Sequence, residues 1–233
     1  MTEELFWRDS YCREFDATVK SVRDGRFILL DKTAFYPEGG GQPNDTGKLT
    51  CGGQEYAVVG VLKESGGIVH EVDREGLQEG AAVSCSLDWS RRHRLMRMHT
   101  ATHVLCSIIG RENGALITGN QLGIGKTRVD LSLESLNKEL AQKFIDEANQ
   151  ELAKNLPVEI KLIPRAEAEK LTHLAKAEYE GNELRVVSVS GVGEEPCGGT
   201  HVANTSEIGK IELVGVENKG KGRKRIYFTL AGA

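Results

Sequence analysis

Apolar and polar residues alternate with a period of two through the first third of the chain. Short runs of this kind fall at residues 17–22, 26–31, 46–49, 55–62, 68–72 and 82–87. They are separated by Asp24-Gly25, Gly39-Gly40-Gly41, Gly52-Gly53 and Gly66-Gly67. Six short strands at this spacing, with no helical period among them, predict a small antiparallel β-barrel. The period then changes. Residues 91–109 contain neither Gly nor Pro, Ser90 stands where an N-cap belongs and Gly110 where a helix would stop. Leu133, Leu136, Leu140, Phe144, Ala148 and Leu152 recur every three or four positions, which predicts an amphipathic helix over 133–156 ended by Pro157. A strand at 158–163, a helix at 165–177 behind Pro164, and strands at 184–189, 211–216 and 226–230 complete the pattern. The expected class is α+β. A glycine-rich antiparallel β-barrel domain occupies 1–88, and an α/β two-layer sandwich, with helices on one face of a sheet, occupies 89–233.

Composition narrows the class without changing it. With 39% hydrophobic and 27% charged residues among 233, the chain reads as a soluble globular protein, not as collagen-like, disulfide-packed or disordered. No apolar run approaches the roughly 18 residues that span a bilayer, so no membrane association is expected. The acidic start Met1-Thr2-Glu3-Glu4-Leu5 lacks the basic-then-apolar order of a secretory signal. Cysteines 12, 51, 85, 106 and 197 show no disulfide-framework spacing, which points to a reducing cytoplasm. Charge is uneven: residues 1–90 carry 9 Lys+Arg against 16 Asp+Glu, and residues 91–233 carry 21 against 18. A polyanion site is therefore expected in the second part. The densest basic run is Lys219-Gly220-Lys221-Gly222-Arg223-Lys224-Arg225, read as a hairpin loop, and Arg91, Arg92, Arg94 and Arg97 form a second cluster. Both point to phosphate-backbone binding. Aromatic residues, at 6%, supply few stacking platforms for unspecific single-strand binding.

The candidate chemistry lies in two short segments far apart. His99-Thr100-Ala101-Thr102-His103 puts two histidines at i and i+4, so both imidazoles leave one face of a helix within about one turn. Cys197-Gly198-Gly199-Thr200-His201 offers a thiolate and a third imidazole on a loop made compliant by glycine. Three nitrogens and one sulfur form a tetrahedral zinc set, which predicts one Zn2+ per chain. The long separation does not fit a zinc finger, and Thr100 stands where an H-E-x-x-H protease carries its glutamate. Cys106 follows His99 by seven residues on the same helix face and reads as a small core residue. His70, His93 and His173 are isolated. Gly39-Gly40-Gly41 lacks the Lys-Ser/Thr of a nucleotide loop, so no ATP is expected; a hairpin turn and an anion-facing set of backbone amides are both open for it.

The two segments together resemble the editing domain of alanyl-tRNA synthetase and the free-standing alanyl-tRNA editing proteins of the AlaX family, in their medium-length form. The stretch Phe35-Tyr36-Pro37-Glu38-Gly39-Gly40-Gly41-Gln42-Pro43-Asn44-Asp45-Thr46-Gly47 resembles that family's glycine-rich motif. The resemblance implies a barrel followed by an α/β editing core, and a trans-editing hydrolase that deacylates Ser-tRNA(Ala), with Gly-tRNA(Ala) as a further substrate, and spares Ala-tRNA(Ala). It implies that Gly39, Gly40, Gly41 and Gln42 face the editing site. It places the hydroxyl-reading threonine near 117–121, hence Thr118, with Thr102 and Gln121 as rivals. Lys219, Lys221, Arg223, Lys224 and Arg225 are the residues expected to meet the tRNA. No Ser-His-Asp set or paired carboxylate offers a dedicated base; Glu194 and Glu195 read as a solvated loop. The ion's part is open between closing a structural site, activating water and binding the substrate's amino group. The alternative to hydrolysis is a zinc-stabilised RNA-binding module with no activity.

Overall fold

The computed structural model describes residues 2–171 and 182–232. The chain divides into two compact units, Met1–Arg94 and Leu95–Ala233.

The first unit contains β1 (Glu3–Glu4), β2 (Glu14–Arg23), β3 (Phe27–Leu30), β4 (Lys32–Thr33), β5 (Gly47–Cys51), β6 (Gln54–Glu64), β7 (Gly67–Val72) and β8 (Ala82–Leu87). Six of them close into an antiparallel barrel in the order β2-β3-β7-β6-β5-β8, as the alternation predicts. Its interior takes alternate residues such as Val19, Ile28, Leu30, Leu49, Val58, Val61 and Val83. Bulges between Val19 and Ser21 and between Val58 and Gly60 supply the local bending that closure needs. His70 is a satisfied core residue. Its Nδ1–H donates to Ile28 O at 3.1 Å, and Nε2 lies 2.8 Å from Thr33 Oγ1. Burial lowers its pKa to about 4, so it stays neutral.

The glycine-rich segment is a tight turn. Gly39 and Gln42 exchange both backbone hydrogen bonds, at 3.1 and 2.9 Å, and the two residues between them, Gly40 and Gly41, have φ of +58° and +83°. A two-residue loop of that kind is what paired glycines permit. The turn is tied down by Arg92, which is fully buried. Its guanidinium donates to both oxygens of buried Asp45, to Ser10 O at 2.8 Å and to Ala34 O. Asp45 in turn accepts from Tyr36 N at 2.7 Å.

This corrects the reading of the arginine cluster. Arg92 and Arg94 are buried, Arg91 donates to Asn44 O at 3.0 Å, and Arg97 donates to Ile208 O at 2.7 Å. Arg92, buried and paired on all its nitrogens, is withdrawn from any phosphate, while Arg91 and Arg97 are half-buried and each meets a backbone carbonyl of the protein.

Helix α1 (Trp89–Asn113) begins two residues earlier than Ser90 suggests. Asp88 is the cap, its Oδ1 accepting from Arg91 N at 3.1 Å. The helix runs through Gly110 and ends before Gly114, whose φ is +64°. Full burial of Ile108 and Ile109 outweighs the roughly 1 kcal/mol that an interior glycine costs.

The second unit continues with β9 (Ile117–Gln121), β10 (Thr127–Leu131), α2 (Lys138–Leu152), β11 (Val158–Pro164), α3 (Arg165–Ala168), β12 (Glu183–Val189), β13 (Gly193–Pro196), β14 (Ile211–Asn218) and β15 (Lys224–Leu230). One sheet has the order β14-β15-β10-β9 and a second β11-β12-β13. The class is α+β. Helix α2 starts behind Asn137, not at Leu133, because the Asn137 side chain accepts from Leu140 N at 2.8 Å. Asn149 on α2 exchanges two hydrogen bonds with the backbone of Ile211, fastening the helix to the start of β14. α3 is one turn long within the described residues; the remainder of the expected 165–177 helix falls partly outside them, and His173 wholly so. No helix among the described residues is long and apolar enough to cross a membrane.

Replacing Arg92 by Met strands a buried carboxylate. The expected result is a loss of about 3–5 kcal/mol in urea unfolding. An Asp45→Asn, Arg92→Met double variant should recover part of it.

Candidate metal centre

Helix α1 is buried nearly all round, so its polar residues need partners inside the protein. His99 and His103 leave it on one face, as the i, i+4 spacing requires, with ring centroids 5.0 Å apart. The Cys197–His201 loop is brought to that face by β13. A side chain at Gly193 would meet Ser107 of α1, its Cβ within 2.5 Å of Oγ and 3.0 Å of Cβ, so helix and strand can approach this closely only with glycine there.

The four ligand atoms of His99, His103, Cys197 and His201 lie within 4.8 Å of one another. Cys197 Sγ is 3.5 Å from His99 Nε2 and 3.3 Å from His201 Nε2. The ring of His201 sits 4.2 Å from that of His99 and 4.6 Å from that of His103. Ligands on one tetrahedral ion with the usual bond lengths are about 3.3–3.7 Å apart, which these sulfur–nitrogen separations match. His99 and His201 are buried, and His103 and Cys197 are partly accessible. The four could hold a metal ion.

Protonation states favour this use. Burial holds all three imidazoles well below their ordinary pKa, His103 at about 4, and the Arg185 charge pushes the same way. All are neutral near pH 7, with lone pairs available. Burial raises the Cys197 thiol to about 11, opposed by the Gly199 N–H and by Arg185. A metal entering the site therefore displaces the thiol proton.

Thr100 fixes the tautomer of His201. Its hydroxyl donates to Met96 O at 3.1 Å, accepts from Val202 N at 3.3 Å, and lies 3.1 Å from His201 Nδ1. With its one hydrogen committed, the hydroxyl accepts from Nδ1–H, which leaves Nε2 bare and turned to Cys197. Sequence reasoning finds Thr100 only as a missing glutamate, and its place between two histidines is the one signal of this role. Arg185 also escapes it, although an arginine inside Leu-Arg-Val-Val is the mark of a buried cation.

The other expected site residues lie on several elements. Thr102 is buried on the histidine helix, its hydroxyl donating to Met98 O at 2.8 Å. Thr118 is the extra residue at a bulge in β9, and Gln121 lies on the same strand opposite Arg128; both are exposed. That strand belongs to a different sheet from β13. Lys219, Lys221 and Arg223 are exposed on the β14–β15 turn. Lys224 is buried and donates to Gly220 O at 3.0 Å, and Arg225 is paired with Asp130 through two bonds of 2.5 and 3.1 Å. Glu195 is buried on β13, not in a solvated loop. Cys106 is a buried core residue.

Comparison with known proteins agrees along the chain. The family profile "tRNA synthetases class II (A)" matches residues 10–91, and "Threonyl and Alanyl tRNA synthetase second additional domain" matches residues 184–227. The chain is 48% identical over 241 residues to "Alanyl-tRNA editing protein AlaX-M" of Methanosarcina barkeri, covering 99% of both. It is 41% identical over 237 residues to the AlaX-M of Saccharolobus solfataricus, again covering 99% of each. It is also 42% identical over 241 residues to "Alanine--tRNA ligase" of Pyrobaculum neutrophilum, covering 98% of this chain and 27% of that one.

Thr100→Val keeps the shape and deletes the acceptor for His201. With zinc as the probe, competition titration should show affinity weakened about 10–100-fold in a folded protein. His103→Ala, which removes a ligand, should abolish stoichiometric binding.

Proposed function

The chain belongs to the AlaX-M family of alanyl-tRNA editing proteins, and on that premise we propose that it is a trans-editing hydrolase that deacylates Ser-tRNA(Ala), and Gly-tRNA(Ala) besides, while sparing Ala-tRNA(Ala). The observation that carries this reading is the convergence of His99, His103, Cys197 and His201 within 4.8 Å. The nitrogen and sulfur donors suit zinc, one per chain. Bound there, zinc would supply a Lewis acid. The protein's own part is to keep three imidazoles neutral and to hold His201 in one tautomer through Thr100. The aminoacyl ester is reactive, so positioning water against it accounts for much of the acceleration. The substrate places this work in the cytoplasm.

Editing is needed because a synthetase pocket shaped for a methyl group cannot strongly reject a side chain that is smaller or adds one hydroxyl. A second site must read that hydroxyl. Thr118 remains the proposed reader: it is exposed, and its hydroxyl has no hydrogen bond to the described residues, whereas Thr102 spends its proton on Met98 O. Gln121 is the further candidate on the same strand, and the turn at Gly39, Gly40, Gly41 and Gln42 is the family's glycine-rich motif. The test is incubation of labelled Ser-tRNA(Ala) and Ala-tRNA(Ala) with the protein. Serine should be released and alanine retained, and Thr118→Val should narrow that ratio by about 5- to 150-fold. No release of serine would leave the zinc-stabilised RNA-binding reading, which four protein ligands filling a tetrahedral set also favour.

For the tRNA body, Lys219, Lys221 and Arg223 of the β14–β15 turn are the proposed phosphate ligands; Lys224 donates to Gly220 O within that turn, and Arg225 is paired with Asp130 of β10. Replacing Lys219, Lys221 and Arg223 together by Ala should weaken tRNA binding. The log–log salt slope should fall by about 0.7–0.9 for each phosphate that is no longer neutralised. An unaltered slope would mean the turn is merely solvated.

A further inference from the structure

From Leu184 to Val189 every residue of β12 is buried, and Arg185 is the only charged side chain in that run. A buried guanidinium is costly unless its surroundings return its hydrogen bonds, a cost that an aliphatic residue at a buried strand position does not carry. Packing therefore does not explain an arginine here. Its hydrogen bonds do. Cys197 N donates to Arg185 O at 2.9 Å, and Arg185 Nη1 donates to Cys197 O at 2.6 Å. Both polar backbone groups of Cys197 end on one residue, one through its main chain and one through its side chain.

The far end of the loop is anchored separately, by Thr100 at the ring of His201 and the N–H of Val202. Gly198 has open space where a side chain would sit, and Gly199 contributes an N–H that points at Cys197 Sγ from 3.4 Å. The direction of the thiol is thus set from the β12 side. We propose that Arg185 is a positioning residue of the metal centre, which grips the peptide frame of Cys197 so that its sulfur faces His99, His103 and His201. This inference rests on the metal reading above. It assigns the buried cation to the centre and not to the core of the sheet.

The test compares wild type with Arg185→Met, which keeps length and loses the donors, and Arg185→Lys, which keeps charge and loses the planar fork. Zinc affinity is measured by competition with a chromogenic chelator. The cobalt(II)-loaded proteins are probed for the thiolate-to-metal absorption band, which reports the cysteine–metal bond directly. Arg185→Met should bind zinc about 10–100-fold more weakly. It should also show a weaker thiolate band per bound cobalt, with Arg185→Lys between it and wild type and metal-free urea unfolding little altered. Wild-type affinity and band in Arg185→Met would overturn the proposal. So would a loss of metal-free folding in both variants, which would make Arg185 a core residue. A wild type that binds neither metal would overturn the metal reading itself, and this proposal with it.

Discussion

A helix buried on every side can carry polar side chains only if each finds its partner inside the protein, and α1 carries many. Much of the remaining architecture answers that demand. Within the first unit, Arg92 near the helix start draws in Asp45, Ser10 and Ala34, and so pins the glycine turn. Within the second, the hydroxyl of Thr100 is shared among Met96, Val202 and His201, and Thr102 closes on Met98. The histidines that remain are held neutral by the same burial. Polar satisfaction and metal competence are two results of one constraint.

The barrel was legible because its strands alternate strictly and glycine pairs mark the turns, so register and burial leave one solution. The metal set was legible because a helix makes i and i+4 neighbours whatever surrounds it. Strands β9 and β10 were not. Gly119, Asn120 and Gln121 have no intrinsic strand preference, and only pairing with β10, itself held by β15, makes them one. Asp88 and Asn137 cap their helices where Ser90 and an apolar start were expected, since periodicity cannot say which nearby oxygen reaches the free amides. The arginines of α1 looked like a phosphate patch because charge along a sequence carries no record of burial. The partner that buries Arg92, Asp45, lies 47 residues away in the chain.

The site divides its labour between rigid and compliant parts. Two ligands come from a helix whose geometry is set by its own backbone, and two from a loop whose glycines could adopt many shapes. The loop is constrained from outside itself: by the close approach of Gly193 to Ser107, by the hydrogen bonds of Cys197 to β12, and by Thr100 on the ring of His201.

His99 and Cys197 are 98 residues apart in the chain. An ion shared between them is a cross-link as well as a cofactor, closing a ring that includes β9, β10, α2, β11 and β12. In chain-entropy terms, tying a ring of that size removes about 4–5 kcal/mol of freedom from the unfolded ensemble, comparable to a long-range disulfide. With its five cysteines all free, the chain would gain from a metal held in this one centre a reversible staple that responds to metal supply.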